Sequence, residues 1–258
     1  MNQTIDTIMQ RRSLRIFDPA PLSEEEKTII LQTAMRAPTA GAMMLYSIIE
    51  IDDQSIKDSL AKSCDNQPFI AQAPYALLFL ADYQRWMDLY HAAGCRQRAD
   101  ELGITNRLPC EGDLILAVMD ALIAAQTAVI AAESLGIGSC YIGDIVENWE
   151  QHRDLFNLPQ YTFPAALLVF GRPRTAPTKD LTPRFEQQYV VFKNVYRRLS
   201  PEELDNLFVP FGKKSFEAHE YPNGAQNVVQ ANYIRKFTAG FSIERARSMR
   251  QILKNWQG

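Results

Sequence analysis

Three arginines in five residues, Arg11, Arg12 and Arg15 in the run Arg11-Arg12-Ser13-Leu14-Arg15-Ile16-Phe17, are the most concentrated chemistry in this chain. Guanidinium groups present planar forks of N–H donors that match a phosphate bidentately, and Ser13 adds a hydroxyl donor. The same run would also serve as the solvated basic end of a helix. Two further features pair with it as parts of an anion site: the isolated Arg184, and the glycine-rich run from Gly136 to Gly143. In that run Gly136 and Gly138 permit positive φ and close backbone approach, and Gly136 also suits the residue that stops a helix.

Protein nucleophiles are poorly served. No serine stands in a Gly-x-Ser-x-Gly elbow, and His91, His152 and His219 are far apart, each reading as a surface or hydrogen-bonded residue. Cys64, Cys95, Cys110 and Cys140 lack the paired spacing of zinc or iron–sulfur sites, so no metal is expected. Cys140 reads as a small buried thiol, since no Lys, Arg or His neighbours it in sequence. No Gly-x-Gly-x-x-Gly follows a strand, which excludes a Rossmann dinucleotide fingerprint. A chain of this kind, if an enzyme, borrows its reactive group from a cofactor.

The composition is 47% apolar and 22% charged over 258 residues, that of a soluble globular protein. A net charge of −3 lacks the broad basic surface of a nucleic-acid binder. The first six residues carry no basic, then apolar, leader, so a reducing cytoplasm is expected. The apolar run Leu114 to Ala132 contains Asp120 and Gln126, with Asp113 at its head. An aspartate at a bilayer centre costs about 2.5–3.5 kcal/mol, so the run is expected in a protein core or subunit interface and not in a membrane.

The elements follow from periodicity. Ile5, Ile8 and Met9 predict a helix over about 4–12 that delivers the arginines at its end. Ser23 and Glu26 form a capping box for a helix that stops near Ala37, before Pro38. Residues 46–51, 76–81 and 165–170 read as strands, with a short strand at 140–142 after the long apolar helix. Residues 82–112 read as a helix plus a mobile excursion. Ser200-Pro201 opens another helix, and Met249, Ile252, Leu253 and Trp256 mark a closing amphipathic one. These last residues and the long helix give more apolar surface than one small sheet needs, which predicts a homodimer.

Four separated segments then resemble one family in order and spacing, along about 185 residues. The arginine run resembles the N-terminal phosphate motif of the flavin-dependent nitroreductases. Arg36-Ala37-Pro38-Thr39-Ala40-Gly41-Ala42-Met43 resembles that family's RAPSSGN turn beside the flavin. Glu133 to Gly143 resembles its AESLGLGxxxIG segment, and Gly171-Arg172-Pro173 with Pro183-Arg184-Phe185 resembles the stretch that returns an arginine to the flavin phosphate. The resemblance extends to Tyr233-Ile234-Arg235-Lys236-Phe237.

The resemblance implies an α+β fold: a mixed, mainly antiparallel sheet flanked by helices, in one domain over 1–258 with a helical C-terminal extension at about 200–258. It implies an intertwined homodimer with FMN at the interface. Arg11, Arg12, Ser13 and Arg15 would bind the FMN phosphate and ribityl oxygens, with Arg184 as a further phosphate contact. Thr39 and Gly41 would lie near the flavin, and Gln67 would set an amide against the ring or stand as an exposed loop residue. Gly138, Ser139 and Cys140 would offer backbone N–H groups near N5 and O4. Arg235 and Lys236 would form a solvated face or meet nicotinamide phosphates. Ala42, Met44 and Thr182 depart from the polar residues that relatives place there, which removes contacts but leaves the clamp. The activity implied is hydride transfer from NAD(P)H through flavin N5 to a small-molecule acceptor such as a nitroaromatic or quinone, by a ping-pong mechanism without a catalytic side chain. Flavin reductases and reductive dehalogenases share the scaffold, and a non-catalytic flavin module is the alternative.

Overall fold

The computed structural model describes residues 2–176 and 180–257. They fall into two compact units, Met1–Thr178 with Glu244–Gly258, and Lys179–Ile243. The helices are α1 (Gln3–Gln10), α2 (Glu24–Met35), α3 (Gln54–Ser63), α4 (Phe69–Gln72), α5 (Gln84–Ala92), α6 (Cys95–Glu101), α7 (Glu111–Ser134), α8 (Trp149–Leu155), α9 (Pro201–Asn206), α10 (Val228–Asn232) and α11 (Gly240–Gln257). The strands are β1 (Tyr46–Glu50), β2 (Tyr75–Asp82), β3 (Gly138–Ile142) and β4 (Thr162–Gly171).

The first unit carries the sheet, ordered β1-β2-β4-β3 and antiparallel throughout. Its parallel component is a lone bridge between Ser13 and Ser139, outside the strands proper. β2 is internal and buried along its whole length, which is why 76–81 reads as an unbroken apolar run. Side chains alternate between the faces: Leu77, Phe79, Leu168 and Phe170 to one, Leu78, Leu80, Leu167 and Val169 to the other. α2 and α7 cover the first face, where Ala121, Ala124, Ala125 and Ala128 of α7 allow close approach. α3, α4, α8 and the end of α11 cover the second. β4 carries one extra residue, Ala165, between the partners of Phe79 and Leu80, and Pro164 sits at this bulge. A proline is tolerated there because the ladder is already interrupted.

Local chemistry sets the helix ends. The Ser23–Glu26 capping box opens α2 as expected, and Arg36 closes it. α1 stops at Gln10, two residues earlier than its periodicity suggests, so the arginines stand beyond the helix and not on its last turn. Residues 82–112 also differ from expectation. They form α5 and α6, then a loop that Arg107 ties to Asp113 at 2.5 and 3.0 Å. Neither helix has a buried residue, so neither shows a strong apolar stripe in sequence.

The closing helix differs too. From Glu244 onward α11 belongs to the first unit, where Ile252 and Trp256 are buried in that unit's own core and do not form spare surface for a partner. Trp256 meets Tyr161 edge-on at 5.7 Å, and Asn255 and Gln160 exchange hydrogen bonds with each other's carbonyls. The second unit, taken alone, holds α9 with its Ser200 capping box, α10 and a π turn at Tyr233–Phe237. Phe185, Phe208 and Phe211 form its aromatic cluster, while Val190, Val191, Val195 and Tyr196 are exposed.

Trp256→Ala tests the docking of α11. Loss of a buried tryptophan costs about 3–5 kcal/mol, so the urea midpoint of the variant is expected to fall well below wild type. An unchanged midpoint would place Trp256 outside the core.

Candidate functional site

The arginine run leaves α1 as an extended segment on the outer edge of β3. The Leu14 N–H donates to the Ser139 carbonyl at 2.8 Å, the Asp18 N–H donates to the Arg172 carbonyl at 2.9 Å, and Phe17 bridges Pro173. Two glycines make room for this crossing. Gly138 and Gly171 face each other in the β3–β4 register. A Cβ on Gly138 would stand 2.8 Å from Leu14 Cδ2, and one on Gly171 would stand 2.8 Å from Phe17 Cδ1. The expected positive φ is present at Gly136, at +72°, but not at Gly138. Gly138 is needed because Leu14 packs against its Cα.

The charge at this crossing is unbalanced. Among the described residues neither Arg11 nor Arg15 takes part in an ion pair. Arg15 lies over the ring of Phe69 at 5.7 Å, which draws the arginine segment to the loop that carries Gln67. At the end of α7, burial holds the Glu133 carboxyl up to about 7 despite the pull of Arg11 and Arg12. Burial likewise pushes the Cys140 thiol up against the pull of Arg15, so it is held as an unreactive thiol. The Ser139 hydroxyl is buried and has no hydrogen-bond partner. The guanidiniums of Arg11 and Arg15, without an ion pair among the described residues, and an orphaned buried hydroxyl fit a phosphate-bearing cofactor.

The Thr39–Leu45 turn is anchored elsewhere. Asp120, buried on α7, accepts from the Thr39 hydroxyl, from the Ala40 N–H at 3.0 Å and from the Leu45 N–H at 3.1 Å. Thr39 Oγ1 in turn accepts from the Met44 N–H at 2.8 Å. Trp86 Nε1 donates to the Met43 carbonyl, and Arg85 donates to those of Met44 and Tyr46. Gly41, Ala42 and Met44 all take positive φ, between 50° and 58°. The Thr39 hydroxyl is therefore committed to the turn, and the backbone is what the turn presents.

A family model described as the Nitroreductase family matches residues 8–172. The chain is 33% identical over 198 residues to the FMN reductase (NADPH) of Bacillus subtilis, covering 76% of this chain and 75% of that protein. It is 30% identical over 242 residues to the CR(VI) reductase of a Pseudomonas strain, covering 94% and 93%. The chain belongs to the nitroreductase family. Among solved structures, that of NfrA1 from B. megaterium aligns with a TM-score of 0.78 at 27% identity, over 99% of each chain.

In this chain the remaining residues singled out in the sequence separate by place. The first unit brings Arg11, Arg12, Ser13, Arg15, Gly138, Ser139 and Cys140 together, with the Gln67 loop beside them. Arg184 belongs to the second unit, exposed, with Nη1 donating to the carbonyls of Thr182 and Pro183. Arg235 and Lys236 are in the π turn of that unit. His152 is fully buried, with Nδ1 at the Ile145 carbonyl (2.8 Å) and Nε2 at Ser63 Oγ (2.7 Å), and burial lowers its pKa, so it is a neutral structural residue. Sequence reasoning overlooked two acids. Asp120 read only as a polar break in an apolar run, and the Gln67–Asp144 hydrogen bond at 2.7 Å spans too many residues to be seen in sequence.

The Gly138 packing is testable by a double-mutant cycle. Gly138→Ala is expected to lower stability through its clash with Leu14, and Leu14→Ala in the same chain is expected to recover part of that loss. Coupling of about 0.5–3 kcal/mol by urea unfolding is the expected range for residues in contact. Strictly additive effects would mean the two do not meet.

Proposed function

We propose that this chain is an NAD(P)H-dependent FMN oxidoreductase, one nitroreductase-like domain over 1–258, working as a homodimer in the cytoplasm. The observation that carries this reading is the pair of arginines, Arg11 and Arg15, held without ion pairs beside the backbone edge of β3. Arg11, Arg12 and Arg15 would hold the FMN phosphate with Ser13. The backbone of Gly138–Cys140 would lie at the redox edge of the ring. The chemistry that FMN supplies is acceptance of hydride at N5 from NADH or NADPH and its return to a small-molecule acceptor. This chain's part is to bind, orient and charge-balance the cofactor.

Geometry along α7 supports the dimer. The clamp neighbours Glu133 and the Thr39 turn hangs on Asp120, thirteen positions back on the same helix. At 1.5 Å per residue these points are about 20 Å apart, and a second copy could bring the turn of one chain to the clamp of the other. The apolar surface for such a pairing is present. Ile5, Ile8 and Met9 of α1 and Ile115, Met119 and Leu122 of α7 are exposed, and α1 has no buried residue. A helix of eight residues is not stable without a packing partner. Four unpaired cysteines suit a reducing compartment.

Several outcomes are expected. Purified protein with FMN should lose its flavin absorbance on anaerobic addition of NADH or NADPH, whereas a bound flavin that neither nicotinamide reduces would make the protein a flavin-binding module. Each charged hydrogen bond contributes about 1.5–3 kcal/mol, so Arg15→Ala should weaken FMN roughly 10- to 150-fold in a fluorescence titration while changing riboflavin affinity little. Equal affinity of variant and wild type for FMN would remove Arg15 from the clamp.

The kinetics should be ping-pong, with parallel double-reciprocal lines, because with both substrates on one flavin face the oxidised nicotinamide must leave before the acceptor enters. Cys140→Ser should lower kcat by well under the 10²–10⁴ that marks loss of a general acid or base. Light scattering should find a dimer at micromolar concentration, and a stable flavin-loaded monomer would refute the shared site.

A further inference from the structure

The loop that carries Gln67 is built against a second segment with more connections than a surface loop needs. Asp65 and Asn66, just before Gln67, both take positive φ, at 58° and 51°, which is unusual for two consecutive residues other than glycine. The Gln67 N–H donates to the Ala61 carbonyl at 2.7 Å. Opposite stands 143–148, the segment that follows β3. Asn148 Nδ2 donates to the Ser63 carbonyl at 2.8 Å, and Ser63 and the Ile145 carbonyl both meet His152. From α11, Glu244 accepts the Asn148 N–H at 3.1 Å.

Within this clasp the Gln67 side chain has one orientation open to it. Nε2 donates to the Cys64 carbonyl at 2.9 Å and to Asp144 Oδ2 at 2.7 Å. Both neighbours are acceptors, so the amide nitrogen must face them and its two hydrogens are consumed. Among the described residues no group donates to Gln67 Oε1. Glu147, also buried, is held up to about 8 by its burial and by Asp144. Arg245 and Asp65 are the other charges that act on it, the first pulling down and the second up.

We propose that Asp144 is a positioning residue that, together with the Cys64 carbonyl, holds the two amide hydrogens of Gln67, so that the site offers the bound ring an acceptor alone at this point. Such a site selects a ring donor, and in oxidised isoalloxazine that donor is the imide N–H. This rests on the reading that Gln67 faces a flavin. Asp144 acts through Gln67 and touches neither the ring nor the phosphate.

The test measures dissociation constants of FMN, riboflavin and N3-methyl-FMN, with the flavin midpoint potential, for wild type, Gln67→Ala, Asp144→Ala, Asp144→Asn and the Gln67→Ala/Asp144→Ala double variant. One neutral hydrogen bond corresponds to roughly a 3- to 10-fold change in affinity. Gln67→Ala and Asp144→Ala are each expected to weaken FMN and riboflavin alike by about that factor, since the contact is to the ring, and to shift the potential in the same direction.

The double variant should be no worse than either single one. Asp144→Asn, which still presents an acceptor to Nε2, should stay near wild type, and the preference for FMN over its N3-methyl form should vanish in Asp144→Ala. If Asp144→Ala does not fold, Asp144→Ser, too short to reach Gln67, replaces it. Additive losses, or an Asp144→Ala protein with wild-type flavin affinity and potential while Gln67→Ala loses both, would overturn the proposal. A neutral Gln67→Ala beside an Arg15→Ala that still loses FMN would overturn it and leave the flavin reading standing. Failure of the wild type to bind FMN would overturn both.

Discussion

One backbone hydrogen bond, from the Leu14 N–H to the Ser139 carbonyl at 2.8 Å, locates the arginine segment of the first unit. Its own net contribution is about 1 kcal/mol, too little to hold an extended segment in place. What makes it decisive is the packing around it. Leu14 and Phe17 close over the paired Gly138 and Gly171, and Phe17 is buried in the core. The segment thereby covers part of the exposed edge of β3, which would otherwise present unpaired backbone groups to any passing strand. Arg11, Arg12 and Arg15 are carried by this crossing, so their separation from the β3 backbone is set by strand geometry and not by flexible side chains.

α7 is the second constraint, and it works through a buried charge. A carboxylate taken out of water is costly unless its oxygens are matched by donors. Asp120 meets that condition with a hydroxyl and two backbone N–H groups, all from the Thr39–Leu45 turn. The turn and the aspartate are thus mutually dependent: Ala42 and Met44 take strained positive φ, and the carboxylate holds the turn on either side of them through the Ala40 and Leu45 N–H groups. The alanine-rich face around Asp120 lets the helix lie close to the sheet, so the turn is referenced to the core. The clamp is referenced to the other end of the same helix.

Much of this was legible in the residue order. The capping boxes at Ser23 and Ser200 open their helices as read, because a cap is a local interaction within four residues. The apolar run 76–81 was legible as a doubly covered strand for the same local reason. The end of α1 was not, since the pull of β3 on Ser13 and Leu14 is a contact across more than a hundred residues. At Gly138 glycine is required by the neighbour Leu14, invisible in sequence, and not by the positive φ expected there. α11 read as spare apolar surface because nothing local says that Trp256 meets Tyr161. Asp120 and Asp144 escaped notice because an acid bound to backbone N–H groups or to a distant amide leaves no spacing signal.

The electrostatics of the first unit set a cluster of arginines beside buried titratable groups. Burial raises Cys140, Glu133 and Glu147 and lowers His152, and Asp120 is bound by three donors. A cluster of arginines is suited to holding an anion. In the proposed reading the backbone and the arginines would address the cofactor, and the acceptor would be left to side chains that the clamp does not constrain.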